Sequence, residues 1–298
     1  VSKSHSLGVR KVNEGENPRS ITQRNRAAPV EDPFVASLRP DRVDKDVNCP
    51  HKPDALSPNE WTQSMSPLLR KCAAEFLGSA FLIATVIGSG IMATNLTDNV
   101  ALQLLCNTAA TAGALIALIA AFGSVSGAHF NPVVTIADRV FKGIPTREVL
   151  PYIASQILGM VAGVMVANLM FGLAAINLST KTRTGGGLWL GEIVATLGLL
   201  LVIFGVVRSG KSTLAPFVVA GYITAAYFFT SSTSFANPAI TIGRSLSNSF
   251  AGIAPKSAPG FIIAQFVGMA LALVAIRIVF PDADQFADEL LMHHEEDK

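Results

Sequence analysis

The sequence predicts an all-α membrane protein with six transmembrane helices and two re-entrant half-helices in an inverted repeat. Three observations predict it. Half of the 298 residues are hydrophobic and only 15% are charged, and the charges avoid the middle of the chain. Residues 1–71 carry 12 basic and 9 acidic side chains, residues 281–298 carry 7 acidic side chains and one Lys, and residues 72–280 carry only 15 charges in all. That middle region divides into six apolar stretches of about 20 residues, the length an α-helix needs to cross ~30 Å of hydrocarbon. Two shorter apolar stretches each open with Asn-Pro.

In chain order, residues 1–68 are polar, rich in scattered prolines such as Pro18, Pro29, Pro33 and Pro40, and have no apolar period. This composition predicts a disordered cytoplasmic extension. It lacks the apolar segment of a cleavable signal peptide, and Glu14, Glu16, Glu31 and Asp32 oppose an organellar transit peptide. A channel-forming region, 69–280, follows. Its spans are expected at about 70–93, 101–122, 149–171, 188–207, 213–230 and 258–280. The stretches 131–141 and 237–247 are too short to span and suit half-helices entering partway. Lipid cannot satisfy free backbone groups, so such segments must line a protein-enclosed cavity. An acidic cytoplasmic tail, 281–298, ends the chain.

An even number of spans puts both ends on one side. Eight basic residues (Arg70, Lys71, Arg139, Lys142, Arg147, Arg208, Lys211, Arg277) fall on the side of the termini, and four (Lys181, Arg183, Arg244, Lys256) on the other. The excess places both termini in the cytoplasm, and the plasma membrane is the expected location. The sequons Asn95-Leu96-Thr97 and Asn177-Leu178-Ser179 fall in outward connections and agree with this orientation. Cys49, Cys72 and Cys106 show no metal-binding spacing and read as buried, inert thiols.

The two halves echo each other. Glu75 near the start of the first span answers Glu192 near the start of the fourth, Asn131-Pro132-Val133 answers Asn237-Pro238-Ala239, and Gln156-Ile157-Leu158-Gly159-Met160 answers Gln265-Phe266-Val267-Gly268-Met269. The repeats run over about 70–171 and 188–280. Three spans per half force the second copy to insert upside down, the inverted repeat of transport proteins. Asn is a strong N-cap and Pro is favoured at the first helical position, so each Asn-Pro starts a helix abruptly. Inverted, the two N-termini face each other in mid-membrane, each with roughly half a positive charge. With each Asn oxygen capping its own helix, the amide NH2 is left to donate to a passing oxygen. Positive helix ends and fixed donors in a narrow pore disfavour cations and break a proton-conducting water wire.

Ser126-Gly127-Ala128-His129-Phe130-Asn131-Pro132-Val133 and Phe235-Ala236-Asn237-Pro238-Ala239 resemble the paired signatures of the aquaporin (major intrinsic protein) family, and the resemblance covers about 70–280. It implies a homotetramer with one pore per subunit, passing water and small neutral solutes across the lipid bilayer without chemical turnover. It implies no cofactor, metal site or nucleic-acid partner. By position, Asn131 and Asn237 resemble the midplane pair, and His129 the cytoplasmic-side pore imidazole. Glu75 and Glu192 resemble the family's buried structural glutamates.

Counting from each Asn as the family does puts Thr111, Ala225, Ser234 and Ile240 at the four corners of the outer selectivity filter. Water-selective members carry an aromatic, a His and an Arg there; Ile240 stands in place of that Arg. The chain therefore resembles a bacterial-type branch, aquaglyceroporin-like or metalloid-channel-like, with a wider and less polar mouth. Water, glycerol-type polyols, urea, ammonia, hydrogen peroxide and undissociated arsenite all suit such an opening. Arg244 lies one helical turn beyond Ile240, and its side chain leans back toward the constriction. Two roles are open to it: an auxiliary filter cation, or an Arg snorkelling to the interface.

No nucleophile–base arrangement, metal cluster or phosphate loop supports an enzyme, and His293-His294 lies in the solvated tail. An ion-coupled secondary transporter would share the inverted repeat but needs acidic coupling sites, for which the spans offer only Glu75 and Glu192. A structural membrane protein with little conduction is the other alternative.

Overall fold

The computed structural model describes residues 65–281. Apart from their innermost residues, the expected N-terminal extension and acidic tail lie outside the described residues, as do Cys49 and His293-His294.

Helix α1 (Pro67–Leu96) starts where Ser66 accepts a hydrogen bond from the Leu69 N–H at 3.3 Å and Pro67 supplies a preset φ. Helix α2 (Val100–Ser126) is capped by Asn99, which accepts from the Leu102 N–H at 3.1 Å, and stops at Gly127, whose φ of 81° is easy for glycine. The half-helix α3 (Pro132–Val140) and the spanning helix α4 (Thr146–Met170) complete the first half. The second half repeats this order in α5 (Gly186–Arg208), α6 (Ala215–Phe229, after a 3₁₀ turn at Ser212–Leu214), the half-helix α7 (Pro238–Arg244) and α8 (Ala258–Val279, after a 3₁₀ turn at Pro255–Ser257).

Six helices among the described residues are long and apolar enough to cross a membrane. They coincide with the six expected spans, most extending a few residues further at an end. At 9 and 7 residues, α3 and α7 reach only ~14 and ~11 Å at 1.5 Å per residue. Helix α7 ends sooner than expected because the chain turns at Ser245, whose hydroxyl donates to the Ile242 carbonyl at 2.6 Å, and then bridges Asn177 at Ser247.

Large apolar side chains such as Phe81, Leu105, Leu158, Phe217, Phe228 and Val274 point outward. In water they would aggregate; against hydrocarbon they are the solvated face. Inside, α1 packs on α2 and α4, α5 packs on α6 and α8, and α2 against α6 joins the halves. Glycines set the closest crossings. A Cβ on Gly159 of α4 would run into the Phe76 carbonyl of α1, and one on Gly268 of α8 would lie 2.6 Å from the Ile193 carbonyl of α5. The same crossing is thus built twice, with small residues where two backbones touch.

One expectation needs correction. Cys72 is half-buried and Cys106 is exposed on the outer face of α2, so neither is a core thiol. The second sequon lies in the α4–α5 connection. Ser179 is only 3% exposed, and the Asn177 N–H donates to the Leu246 carbonyl at 3.0 Å, tying the α4–α5 connection to the segment after α7.

Candidate functional site

The two Asn-Pro segments meet head to head. Asn131 Oδ1 accepts from the Val133 N–H at 3.1 Å, and Asn237 Oδ1 accepts from the Ala239 and Ile240 N–H groups at 2.9 and 3.2 Å. Each oxygen thus caps its own half-helix. The amides cross over: Asn131 Nδ2 donates to the Ala236 carbonyl at 2.8 Å, and Asn237 Nδ2 donates to the Phe130 carbonyl at 2.7 Å. An amide NH2 has two hydrogens, so each Asn keeps one donor for whatever passes. Both asparagines line a continuous cavity, whereas Pro132, Val133, Pro238 and Ala239 are packed behind them.

The loops entering the half-helices are held open against their own preference. Ala128 and Phe130 have φ of 49° and 48°, and Ser234 and Ala236 have φ of 49° and 47°. Each left-handed non-glycine residue costs about 1 kcal/mol, so the pattern needs an external brace. Two fully buried glutamates supply it. Glu75 Oε1 accepts from the Ser126 hydroxyl at 2.6 Å and the His129 N–H at 3.0 Å; Oε2 accepts from the Phe130 N–H at 2.7 Å and Gln156 Nε2 at 2.8 Å. Glu192 accepts from the Phe235 and Ala236 N–H groups, each at 2.9 Å, and from Gln265 Nε2 at 2.6 Å. Gln156 and Gln265 also donate, each at 2.9 Å, to Thr135 and Thr241 in the half-helices. The sequence comparison aligned these glutamines without assigning them a part; the shared signal was a Gln one turn before each crossing glycine.

On the inner side His129 lines the cavity. Its Nδ1 lies 3.1 Å from Thr135 Oγ1 and its Nε2 3.5 Å from Asp138 Oδ2. Asp138 sits in α3 at 1% exposure. It was missed at the sequence level because it reads as part of an Asp138-Arg139 charge pair at a helix end.

At the outer side Thr111, Ser234, Ile240 and Arg244 all line the cavity, as the spacing suggests. Ala225 does not: it is exposed on α6. In its place on α6 Tyr227 lines the cavity, with its hydroxyl 3.2 Å from Thr111 Oγ1. The inward face of α6 runs Val219, Ile223, Tyr227 at four-residue steps, and two residues of offset turn a helical side chain to the far side. A fixed count back from Asn237 assumes a connection two residues longer than the one present. The Ser234 hydroxyl is buried in the lining with no protein hydrogen-bond partner.

Arg244 is 2% exposed, which excludes snorkelling. Its Nε donates to the Ala251 carbonyl, and its guanidinium lies over the Phe235 ring, 3.4 Å from the centroid. Arg183 reaches the same ring at 5.4 Å while its Nε donates to the Gly252 carbonyl at 2.9 Å. Beside it, Lys181 Nζ donates to the Phe250 carbonyl at 2.7 Å. Burial, and then the charges of Arg183 and Arg244, push the Lys181 ammonium below its ordinary range.

Between these levels the walls contributed by α1, α2, α5 and α6 are aliphatic, with Leu82, Val86, Leu115, Ile119, Leu199 and Ile203. A polar strip from the two loops faces an apolar wall, which suits a file of small molecules with hydroxyl groups on one side. Among the described residues no three His, Cys, Asp or Glu side chains gather as a metal site.

Comparison with known proteins agrees with this geometry. The family model described as major intrinsic protein matches residues 61–234. The chain is 45% identical over 210 residues to the aquaglyceroporin AqpS of Rhizobium meliloti (strain 1021), covering 70% of this chain and 90% of the relative. It is 32% identical over 248 residues to the aquaporin AqpM of Methanothermobacter thermautotrophicus, covering 72% and 98%. The solved aquaglyceroporin of Plasmodium falciparum shares the fold, with a TM-score of 0.56 at 20% identity, covering 73% of this chain and 99% of that one. Six spanning helices, two head-to-head half-helices and these matches together make the chain a member of the major intrinsic protein family, an integral multi-pass membrane protein.

Proposed function

We propose that the chain is a passive channel for water and small uncharged solutes, glycerol-type polyols foremost, and that ions and protons are turned back at Asn131 and Asn237. The observation that carries this reading is the reciprocal pair of asparagine bonds inside a lined passage: Asn131 Nδ2 to the Ala236 carbonyl and Asn237 Nδ2 to the Phe130 carbonyl. The two helix N-termini converge there, so a cation meets positive potential and no carboxylate. Thr111, Tyr227, Ser234 and Ile240 form the outer filter in this proposal, with Arg244 as its displaced cation. The similarity to AqpS, named an aquaglyceroporin, supports polyols over water alone. Urea, ammonia, hydrogen peroxide and undissociated arsenite share the required size and neutrality. Assembly as a homotetramer is supported by membership of the major intrinsic protein family. The eight-to-four distribution of basic residues supports an orientation with both termini in the cytoplasm.

Stopped-flow light scattering of proteoliposomes containing the full chain tests this. Water and glycerol should equilibrate faster than in empty vesicles, with no dependence on an imposed proton or sodium gradient. Glycerol flux equal to that of empty vesicles, or flux driven uphill by an ion gradient, would overturn it.

A further inference from the structure

The spans and half-helices hold four buried carboxylates: Glu75 and Glu192 brace loops, and Glu148 pairs with Lys71. The fourth is Asp138. A carboxylate at membrane depth is expensive and is retained where it meets a partner that uses it. Its Oδ2 lies 3.5 Å from the Nε2 of His129, the imidazole that lines the passage, with side-chain exposures of 2% for Asp138 and 1% for His129. On the opposite edge of that ring Nδ1 meets Thr135 Oγ1 at 3.1 Å, and Thr135 is itself fixed by Gln156 Nε2 at 2.9 Å. Neither Asp138 nor Thr135 lines the cavity, so both nitrogens of His129 are turned into protein while the residue itself borders the route.

We infer that Asp138 is a positioning residue for conduction: its carboxylate, 3.5 Å from Nε2, keeps that nitrogen turned into the protein and the His129 ring with a carbon edge toward the passage, so that solutes meet no imidazole donor or acceptor there. A ring nitrogen free to face the lumen would bind a hydroxyl group and hold it. A turned ring leaves the inner half weakly retentive, and conduction requires that sites release as readily as they bind. Other titratable groups pack against this cluster from their own elements: Glu75 on α1, whose Oε1 takes the His129 N–H at 3.0 Å, and Tyr152 on α4, whose ring centroid lies 5.5 Å from the imidazole. Just beyond, Lys71 on α1 pairs with Glu148 on α4 at 3.2 Å.

The inference rests on the cavity being the solute route, and the experiment separates the two claims. Glycerol flux against concentration is measured in proteoliposomes for the wild type, Asp138→Asn, Asp138→Leu, His129→Leu and the double variant His129→Leu/Asp138→Leu. Wild-type flux equal to empty vesicles sinks the route itself. With a conducting wild type, Asp138→Asn, which keeps an oxygen facing Nε2, should stay within about twofold of it. Asp138→Leu should lower the half-saturating concentration and the maximal flux together by several-fold, and it should have no further effect in the His129→Leu background. The ¹⁵N resonances of His129 should shift in Asp138→Leu and hold in Asp138→Asn. If Asp138→Leu costs the same flux with and without the imidazole, Asp138 serves packing alone and the inference is overturned. Unchanged flux and unchanged ¹⁵N resonances in Asp138→Leu would overturn it equally.

Discussion

At the scale of single residues, much of the chemistry is carried by side chains that never touch a solute. Glu75 takes four donors, and the carboxylate is suited to them because all four lone-pair directions of its two oxygens are filled. Glu75→Ala would leave the Ser126 hydroxyl, two loop N–H groups and Gln156 without an acceptor in a dry interior. Breaking such a buried network costs on the order of 3–5 kcal/mol. The expected result is a large fall in the thermal unfolding midpoint in detergent, with Glu75→Gln falling less because one carbonyl oxygen survives. An unchanged midpoint in both variants would mean the loop conformation needs no brace. Asn131, Asn237, Glu75 and Glu192 were legible in the sequence because their spacing is written twice. Tyr227 was not, because its inward position depends on the length of one connection, and Ala225 was counted in its place. Asp138 occurs in one half only, and nothing in the repeat pointed to it.

At the scale of elements, the spans were readable from hydropathy and the half-helices from their Asn-Pro starts, whereas the face each helix turns inward was not. In a membrane, hydrocarbon outside is as apolar as the core within, so the amphipathic stripe that orients a helix in water is lost. The glycines give better direction. Gly268 meets the Ile193 carbonyl and Thr196 Cβ, whereas a Cβ on Gly113 would meet nothing within 4 Å. Gly268→Ala should therefore force α8 from α5 and cost about 1–3 kcal/mol. Gly113→Ala, free of such contact, should hold or slightly raise the unfolding midpoint, since alanine favours a helix. The comparison needs only two thermal melts, and equal behaviour of the two variants would refute the close crossing.

At the scale of the whole molecule, the proposed function distributes ion exclusion between converging helix ends and the cations at the outer mouth. With Ile240 after the second Asn-Pro-Ala, the cation on α7 is Arg244, one turn further along and clamped between the Ala251 carbonyl and the Phe235 ring. Arg244→Ala should raise proton and potassium leak through proteoliposomes several-fold, measured with a pH-sensitive dye and a potassium-valinomycin potential, while glycerol flux holds or rises. If leak and flux are both unchanged, Arg244 has no part in selection. The sequence placed Arg244 on the correct face but left its partners open, because Phe235, Ala251 and Arg183 converge on it from three different connections.

The crossed amide bonds also have a bearing on synthesis. The Asn131 amide and the Phe130 carbonyl close these bonds on Ala236 and Asn237, and 237 − 131 = 106 residues separate the two asparagines. At roughly 5–20 residues per second, the ribosome delivers the second asparagine some 5–20 s after the first. Throughout that interval the earlier re-entrant loop has a polar tip with no mate, in a compartment that offers lipid. The nascent first half must be sheltered by water or by the insertion machinery until the later half arrives, so the slowest moment in making this protein should be the closing of its own centre.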